Sequence, residues 1–216
     1  MKVLVTGSSN GIGKEVANLF LQRGYDVVGF DIKPATLSHE RYEHHCIDVS
    51  RPESYPELKN IDIIINNAGV QDEDSVISVN LEGAMSICEK YGDRDGIKSI
   101  LNVCSTSAHT GAEFPKYSAS KGGLLAYTKH LAQRVSKYGA TCNSISPGGV
   151  ITDINKHILE SEDLYNQCKE ETLLKKWASA KEIAEWIFFI TAVNTSMTAQ
   201  DIIVDNGEMF NYNFIW

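Results

Sequence analysis

Apolar residues fall along the chain in two alternating rhythms. Short, β-branched runs at residues 3–5, 27–30, 61–65, 99–103, 142–145 and 202–204 read as strands buried on both faces, and a weaker run at 42–47 fits between the second and third. Between them lie stretches with helical spacing, clearest at 12–23, 117–138 and 181–191. Strand and helix in alternation require crossover connections, which are right-handed and build a parallel sheet. The pattern therefore predicts an α/β protein with a doubly wound parallel sheet. No repeat, low-complexity tract or Pro/Ser-rich linker divides the chain, so residues 1–216 read as a single domain.

The first run ends in Thr6-Gly7-Ser8-Ser9-Asn10-Gly11-Ile12-Gly13, and a helix follows at once. Glycines at this spacing let a backbone turn sharply, approach a pyrophosphate and pack a helix close to its strand, while the helix N-terminus offers free N–H groups to the phosphates. A triphosphate-binding loop fits poorly, because Ser8 stands where its first glycine belongs and Glu15 follows Lys14. Asp31 closes the second run at about the twenty-residue spacing where an acid accepts hydrogen bonds from an adenosine ribose. A carboxylate there repels a 2′-phosphate, so NAD is preferred over NADP, with Lys33 as a softening influence.

Tyr117 and Lys121 stand at i and i+4 on the long predicted helix and so share a face. An ammonium beside a phenol favours the phenolate and makes tyrosine an acid–base catalyst nearer neutral pH. Ser105 follows the strand at 99–103, at the edge where open α/β sheets bind ligands, and its hydroxyl suits a donor to a substrate oxygen. Thr106 and Ser107 are rival hydroxyls. Each feature alone has a plain structural reading as a solvated helix face or a turn residue; their order behind the glycine turn is what carries weight.

Together these residues resemble the short-chain dehydrogenase/reductase superfamily, in its single-domain branch, over nearly the whole chain. Residues 6–13 match its Thr-Gly-x3-Gly-Ile-Gly turn; Asp48-Val49 matches the pair near the adenine; Asn66-Asn67-Ala68-Gly69 matches its Asn-Asn-Ala-Gly motif. Asn80, Ser105, Tyr117 and Lys121 correspond to the catalytic tetrad, and Pro147-Gly148 with Val150 and Thr152 to the segment at the nicotinamide carboxamide. The resemblance implies a Rossmann-type fold, cofactor contacts at Gly7, Asn10, Gly11, Ile12, Gly13, Asp31, Asp48, Val49, Asn67, Ala68, Gly69, Tyr117, Lys121, Pro147, Gly148, Val150 and Thr152, and hydride transfer between an alcohol or carbonyl compound and the nicotinamide. In that scheme Tyr117 moves the proton, Ser105 polarises the oxygen, Lys121 tunes Tyr117 and binds the nicotinamide ribose, and Asn80 supports a proton relay through water. Asp48 fits a strand-end cap equally well, and Asn80 a helix-start cap. A non-catalytic NAD-binding sensor or scaffold, or a dehydratase or epimerase on the same fold, are the alternative readings.

The chain is short where the family contacts substrate. Residues 50–60 leave room for a helical turn or two, and ten residues separate Gly69 from Asn80, Asp72, Glu73 and Asp74 among them, so one wall of the cleft is expected to be open. The amphipathic segment 154–176 lies where the family carries a substrate lid, and it suits a fixed surface helix equally. The aromatic tail at 209–216 favours packing against a second subunit over an intramolecular clasp. The resemblance implies a homodimer or homotetramer joined through the helices near Asn80 and Tyr117.

Composition narrows the remaining classes. The 216 residues carry a formal charge of -8 and are 43% hydrophobic and 22% charged, an ordinary globular balance with nothing of the basic stripe a nucleic-acid binder needs. Five scattered cysteines without a CxxC pair read as reduced thiols, and adjacent His44, His45 and Cys46 lack the spacing of a metal site. No secretory signal and no run of membrane-spanning length is evident, so a cytoplasmic protein with no membrane partner is expected.

Overall fold

The computed structural model describes residues 1–71, 74–112 and 114–211. Seven parallel strands form one sheet: β1 (Lys2–Thr6), β2 (Asp26–Asp31), β3 (Tyr42–Cys46), β4 (Ile63–Asn66), β5 (Ser99–Val103), β6 (Thr141–Pro147) and β9 (Asp201–Val204), in spatial order 3-2-1-4-5-6-9. A two-residue parallel pair, β7 (Val150–Ile151) with β8 (Ala178–Ser179), lies apart from it. The sheet is Rossmann-type, and its strand order reverses direction of growth between β1 and β4.

The continuous apolar runs follow from burial on both faces. In β1, β4 and β5, Leu4, Ile64 and Ile100 join one core with Ile87, Leu124, Leu131 and Val135. Their neighbours Val3, Val5, Ile63, Ile65 and Leu101 join the other with Val16, Phe20, Ile183 and Ile187. Successive side chains thus serve opposite layers, as the period of two requires. Helices α2 (Ala84–Tyr91) and α4 (Pro115–Val135) supply the first layer, and α1 (Gly11–Gln22) with α7 (Ala180–Phe188) the second.

Several expected boundaries move. The third predicted run begins at Ile63 instead of residue 61, and the long helix starts two residues earlier, at Pro115, whose missing N–H costs nothing in a first helical turn. Residues 136–138 leave the α-helix as a tighter turn that closes at Gly139, φ 70°. Residues 50–60 hold one short turn, Pro52–Ser54. Asn80 is a correction to the helix-start reading: it sits inside a π-helical turn, Ser78–Gly83, that runs straight into α2. Within 154–176, α5 (Lys156–Leu159) and α6 (Glu162–Glu170) contain no buried residue. Residues 72–73, and 212–216 of the aromatic tail, lie outside the described residues.

Candidate active site

Parallel strands bring the loops after β1, β4, β5 and β6 to one edge, and the predicted site residues gather there. The loops at the switch point are tied to each other. Thr6 Oγ1 accepts from the backbone N–H groups of Asn67 and Ala68, both at 3.0 Å, and the Asn67 amide donates to the carbonyls of Thr6 (3.0 Å) and Gly7 (3.2 Å). Gly7 turns at φ 69°, and a Cβ there would stand 2.7 Å from the Asn67 amide nitrogen. A Cβ on Gly13 would collide with the Gly7 carbonyl, so the helix sits hard against its strand.

The cradle suits a pyrophosphate. The N-terminus of α1 has neither a side-chain cap from Asn10 nor an acid in its first turn, which leaves its positive end free of the chain's own anions. Gly11 turns at φ 53°, with Thr152 Cγ2 3.3 Å from where its Cβ would be, so the glycine turn abuts the 147–152 segment. Ile12, partly buried, packs against the core shared by α1 and α7. The Asn10 amide, oriented to satisfy both its ends, donates to the Ser9 carbonyl (2.8 Å) and accepts from Lys33 Nζ (3.0 Å). Asp31 is held by the N–H groups of Ser9 (2.9 Å) and Lys33 (2.8 Å) at the end of β2.

Asp48 does serve as a local cap. Its Oδ1 accepts from the Ser50 N–H (2.9 Å) and hydroxyl (2.7 Å), and the Ser50 hydroxyl above all holds its carboxyl below the usual range. Val49 beside it is buried, with its carbonyl bound by the Tyr55 hydroxyl at 2.5 Å. Past β6, Pro147 and Gly148 turn the chain under Glu208, whose carboxylate accepts from the Gly149 N–H at 3.3 Å, and buried Val150 pairs with Ala178.

Ser105 follows β5 and is 9% exposed. Its neighbours Cys104 and Thr106 donate to Ile145 (2.7 Å) and Pro147 (3.0 Å), so the strand pairing continues to either side of it. Its Oγ accepts from the Ser107 N–H at 3.1 Å and lies 3.3 Å from the Ser107 hydroxyl. A short helix, α3 (Ser107–Thr110), then packs on α4, and Ser118 Oγ fastens the two by donating to the Ala112 carbonyl at 2.8 Å.

Lys121, 4% exposed, donates to the Val103 carbonyl at 2.8 Å, and its Nζ lies 5.7 Å from the centre of the Tyr117 ring. Burial lowers the proton affinity of the ammonium, and the Cys104 thiol, itself pushed up to about 12 by burial, opposes that to a lesser degree. Asn80 is fully employed: Oδ1 accepts from the Val70 N–H (2.8 Å), and Nδ2 donates to the Val70 carbonyl (2.9 Å) and to Ser120 Oγ (3.2 Å). Ser120 in turn donates to the Tyr117 carbonyl at 2.7 Å. Gly69 fills the gap between these groups, since a Cβ on it would stand 3.3 Å from Asn80 Oδ1 and 3.4 Å from Lys121 Nζ. A π turn at such a point is a common device for aiming a functional side chain. Ser120 and Thr6 hold the site together but carry no signal of that role in the sequence beyond their place inside two motifs.

A sequence model of the family described as enoyl-(acyl carrier protein) reductase matches residues 7–208. The chain is a short-chain dehydrogenase/reductase. It is 30% identical to the 3-oxoacyl-[acyl-carrier-protein] reductase of Chlamydia pneumoniae, covering 95% of this chain and 96% of that protein. Its identity to the glucose 1-dehydrogenase of Gluconobacter oxydans is 29%, covering 95% and 91%. Among solved structures it resembles 4-hydroxyisoleucine dehydrogenase complexed with NADH and succinate, at 25% identity and TM-score 0.82 over 99% of this chain and 100% of the other. The aldohexose dehydrogenase of Thermoplasma acidophilum shares the fold at TM-score 0.88 and 23% identity, over 100% of this chain and 96% of that one. As a short-chain dehydrogenase/reductase the chain is an NAD(P)-dependent oxidoreductase acting on CH–OH or carbonyl groups. Among the described residues no helix is long and apolar enough to cross a membrane, and no cluster of three metal-ligating side chains occurs.

Proposed function

We propose that this short-chain dehydrogenase/reductase is an NAD-preferring alcohol or carbonyl oxidoreductase, built as one nucleotide-binding domain over 1–216, with Tyr117 as its general acid–base. The arrangement around Lys121 carries the reading. A buried ammonium bound to a backbone carbonyl is expensive to keep, and its use is to stabilise negative charge on the Tyr117 ring beside it. Ser105 holds the substrate oxygen, and its own oxygen is oriented by the Ser107 N–H. Tyr117 takes or gives the hydroxyl proton, Lys121 lowers the cost of the phenolate and reaches the nicotinamide ribose, and Asn80 braces the turn through which that proton exchanges with solvent. The nicotinamide, when bound, supplies the hydride acceptor or donor.

The NAD preference is supported by Asp31, whose carboxylate is fixed by Ser9 and Lys33 where a 2′-phosphate would meet it. Gly7, Asn10, Gly11, Ile12 and Gly13 would hold the pyrophosphate of the cofactor, Asp48 and Val49 would receive its adenine, Asn67, Ala68 and Gly69 would receive a ribose, and Pro147, Gly148, Val150 and Thr152 would hold the carboxamide. Segment 154–176 closes over the nicotinamide end. Its base is gripped by the β7–β8 pair and by Trp177, whose indole occupies the space a Cβ on Gly149 would need. The enzyme works in the cytoplasm as a homodimer or homotetramer. Titration with NADH and NADPH, followed by turnover on a panel of alcohols and carbonyl compounds, tests the reading. Tighter NADPH binding overturns the preference, and cofactor binding without turnover favours a sensor.

A further inference from the structure

Edge strand β3 sends two side chains, Tyr42 and His44, along one face toward the glycine turn. The Tyr42 hydroxyl lies 3.0 Å from Ser8 Oγ and 3.2 Å from His44 Nδ1, and His44 Nε2 lies 3.0 Å from the Lys33 carbonyl. Ser8 is wholly buried under the turn. Residue 29 on β2, between the two, is a glycine for this reason: a Cβ there would strike both the Tyr42 hydroxyl and Ser8 Oγ. At its far end the chain of contacts reaches the loop that fixes Asp31, since Lys33 donates its N–H to Asp31 and accepts at its carbonyl from Ser9 Oγ at 3.3 Å.

We propose that Tyr42 and His44 are positioning residues for the adenosine end of the cofactor, joining the phosphate-binding turn to the Asp31 loop through a chain of hydrogen bonds. The inference rests on the cofactor assignment above. The Tyr42 hydroxyl donates to Ser8 Oγ and its oxygen lies against His44 Nδ1, while His44 Nε2 faces the Lys33 carbonyl, so the imidazole bridges the tyrosine to the loop. Burial raises the Tyr42 phenol, so it keeps its proton. The other groups facing His44 are Cys46, with Sγ 3.9 Å from Nε2, and Asp31 and Lys33 on the adjoining loop; the Lys33 ammonium turns to Asn10. Glu43 and His45 bond to each other at 2.8 Å on the opposite face.

The test is the dissociation constant of NADH for the full chain, measured beside the melting temperature of each variant. Tyr42→Phe, which leaves Ser8 without its partner, should bind about two- to tenfold more weakly with a little-changed melting temperature. His44→Gln keeps a donor for the Lys33 carbonyl and should bind NADH about two- to fivefold more tightly than His44→Ala at a like melting temperature. Equal affinity of His44→Gln and His44→Ala, or Tyr42→Phe affinity equal to wild type, overturns the proposal while leaving the function standing. A wild type that binds neither NADH nor NADPH at any pH overturns both.

Discussion

Replacing Lys121 by methionine isolates the effect of one buried charge. Methionine follows the lysine stem and keeps the space between β5 and α4 filled, so repacking costs under about 1.5 kcal/mol. What is lost is the ammonium 5.7 Å from the Tyr117 ring centre. At an effective dielectric of about 20, a unit charge at that separation stabilises a phenolate by about 3 kcal/mol, which is about two pH units and about a hundredfold in rate at neutral pH. Turnover at neutral pH should therefore fall about a hundredfold, and the alkaline rise of the pH–rate profile should move up by about two units. Stability should move the other way. Burial lowers Lys121 from 10.5, so the folded protein binds fewer protons than the unfolded chain and bears a penalty below the folded value that is relieved as pH rises toward 10.5. The variant should be more stable than wild type at neutral pH by about 0.5–2 kcal/mol, with the gap closing as pH approaches 10.5. Steady-state absorbance of reduced nicotinamide and urea unfolding at the two pH values read these effects. Turnover within about threefold of wild type, with an unmoved profile, would refute the electrostatic role.

Other consequences are open to measurement. Thr6→Val strands the N–H groups of Asn67 and Ala68, and should cost about 2–4 kcal/mol in urea unfolding and weaken NADH binding. Asp31→Ser removes the carboxylate that opposes a 2′-phosphate, and should raise the NADPH-to-NADH affinity ratio at least about tenfold by fluorescence titration. Ser179→Ala breaks the capping box of α7 and should cost about 1 kcal/mol at neutral pH. Its partner Glu182 is held down to about 2 by Lys176 and Ser179, so the stability this carboxylate adds is present above its ordinary 4.5 and fades as pH falls toward 2; Glu182→Gln should narrow that acid dependence.

The strands and the glycine turn were legible because burial on both faces writes an unbroken apolar run, and because a tight turn into a helix admits few residues besides glycine. Tyr117, Lys121 and Ser105 were legible through spacing and order. What escaped depends on contacts between distant segments. Asn80 was legible through the resemblance as a member of the tetrad, with a helix-start cap as its plain alternative, but not the π turn that holds it between Val70 and Ser120. Two-residue strands such as Val150–Ile151 carry too little pattern to register, and Trp177 gives no hint that it lies on Gly149. Asn66 stood out through its motif, but its partners did not: it donates to Asn102 at 2.9 Å, and Asn102 to Thr128 at 2.8 Å, a buried chain that only the register of β4, β5 and α4 creates. On exposed β3, Tyr42 and His44 read as a weak alternation, and their meaning came from the neighbour strand's glycine.

Tyr117→Phe tests the central claim most directly, because it deletes one hydroxyl from a half-buried ring and leaves the cofactor cradle and the Lys121 site in place. NADH should bind within about twofold of wild type while turnover falls between about a hundredfold and ten-thousandfold. Turnover equal to wild type would contradict the assignment of Tyr117 as the residue that moves the proton.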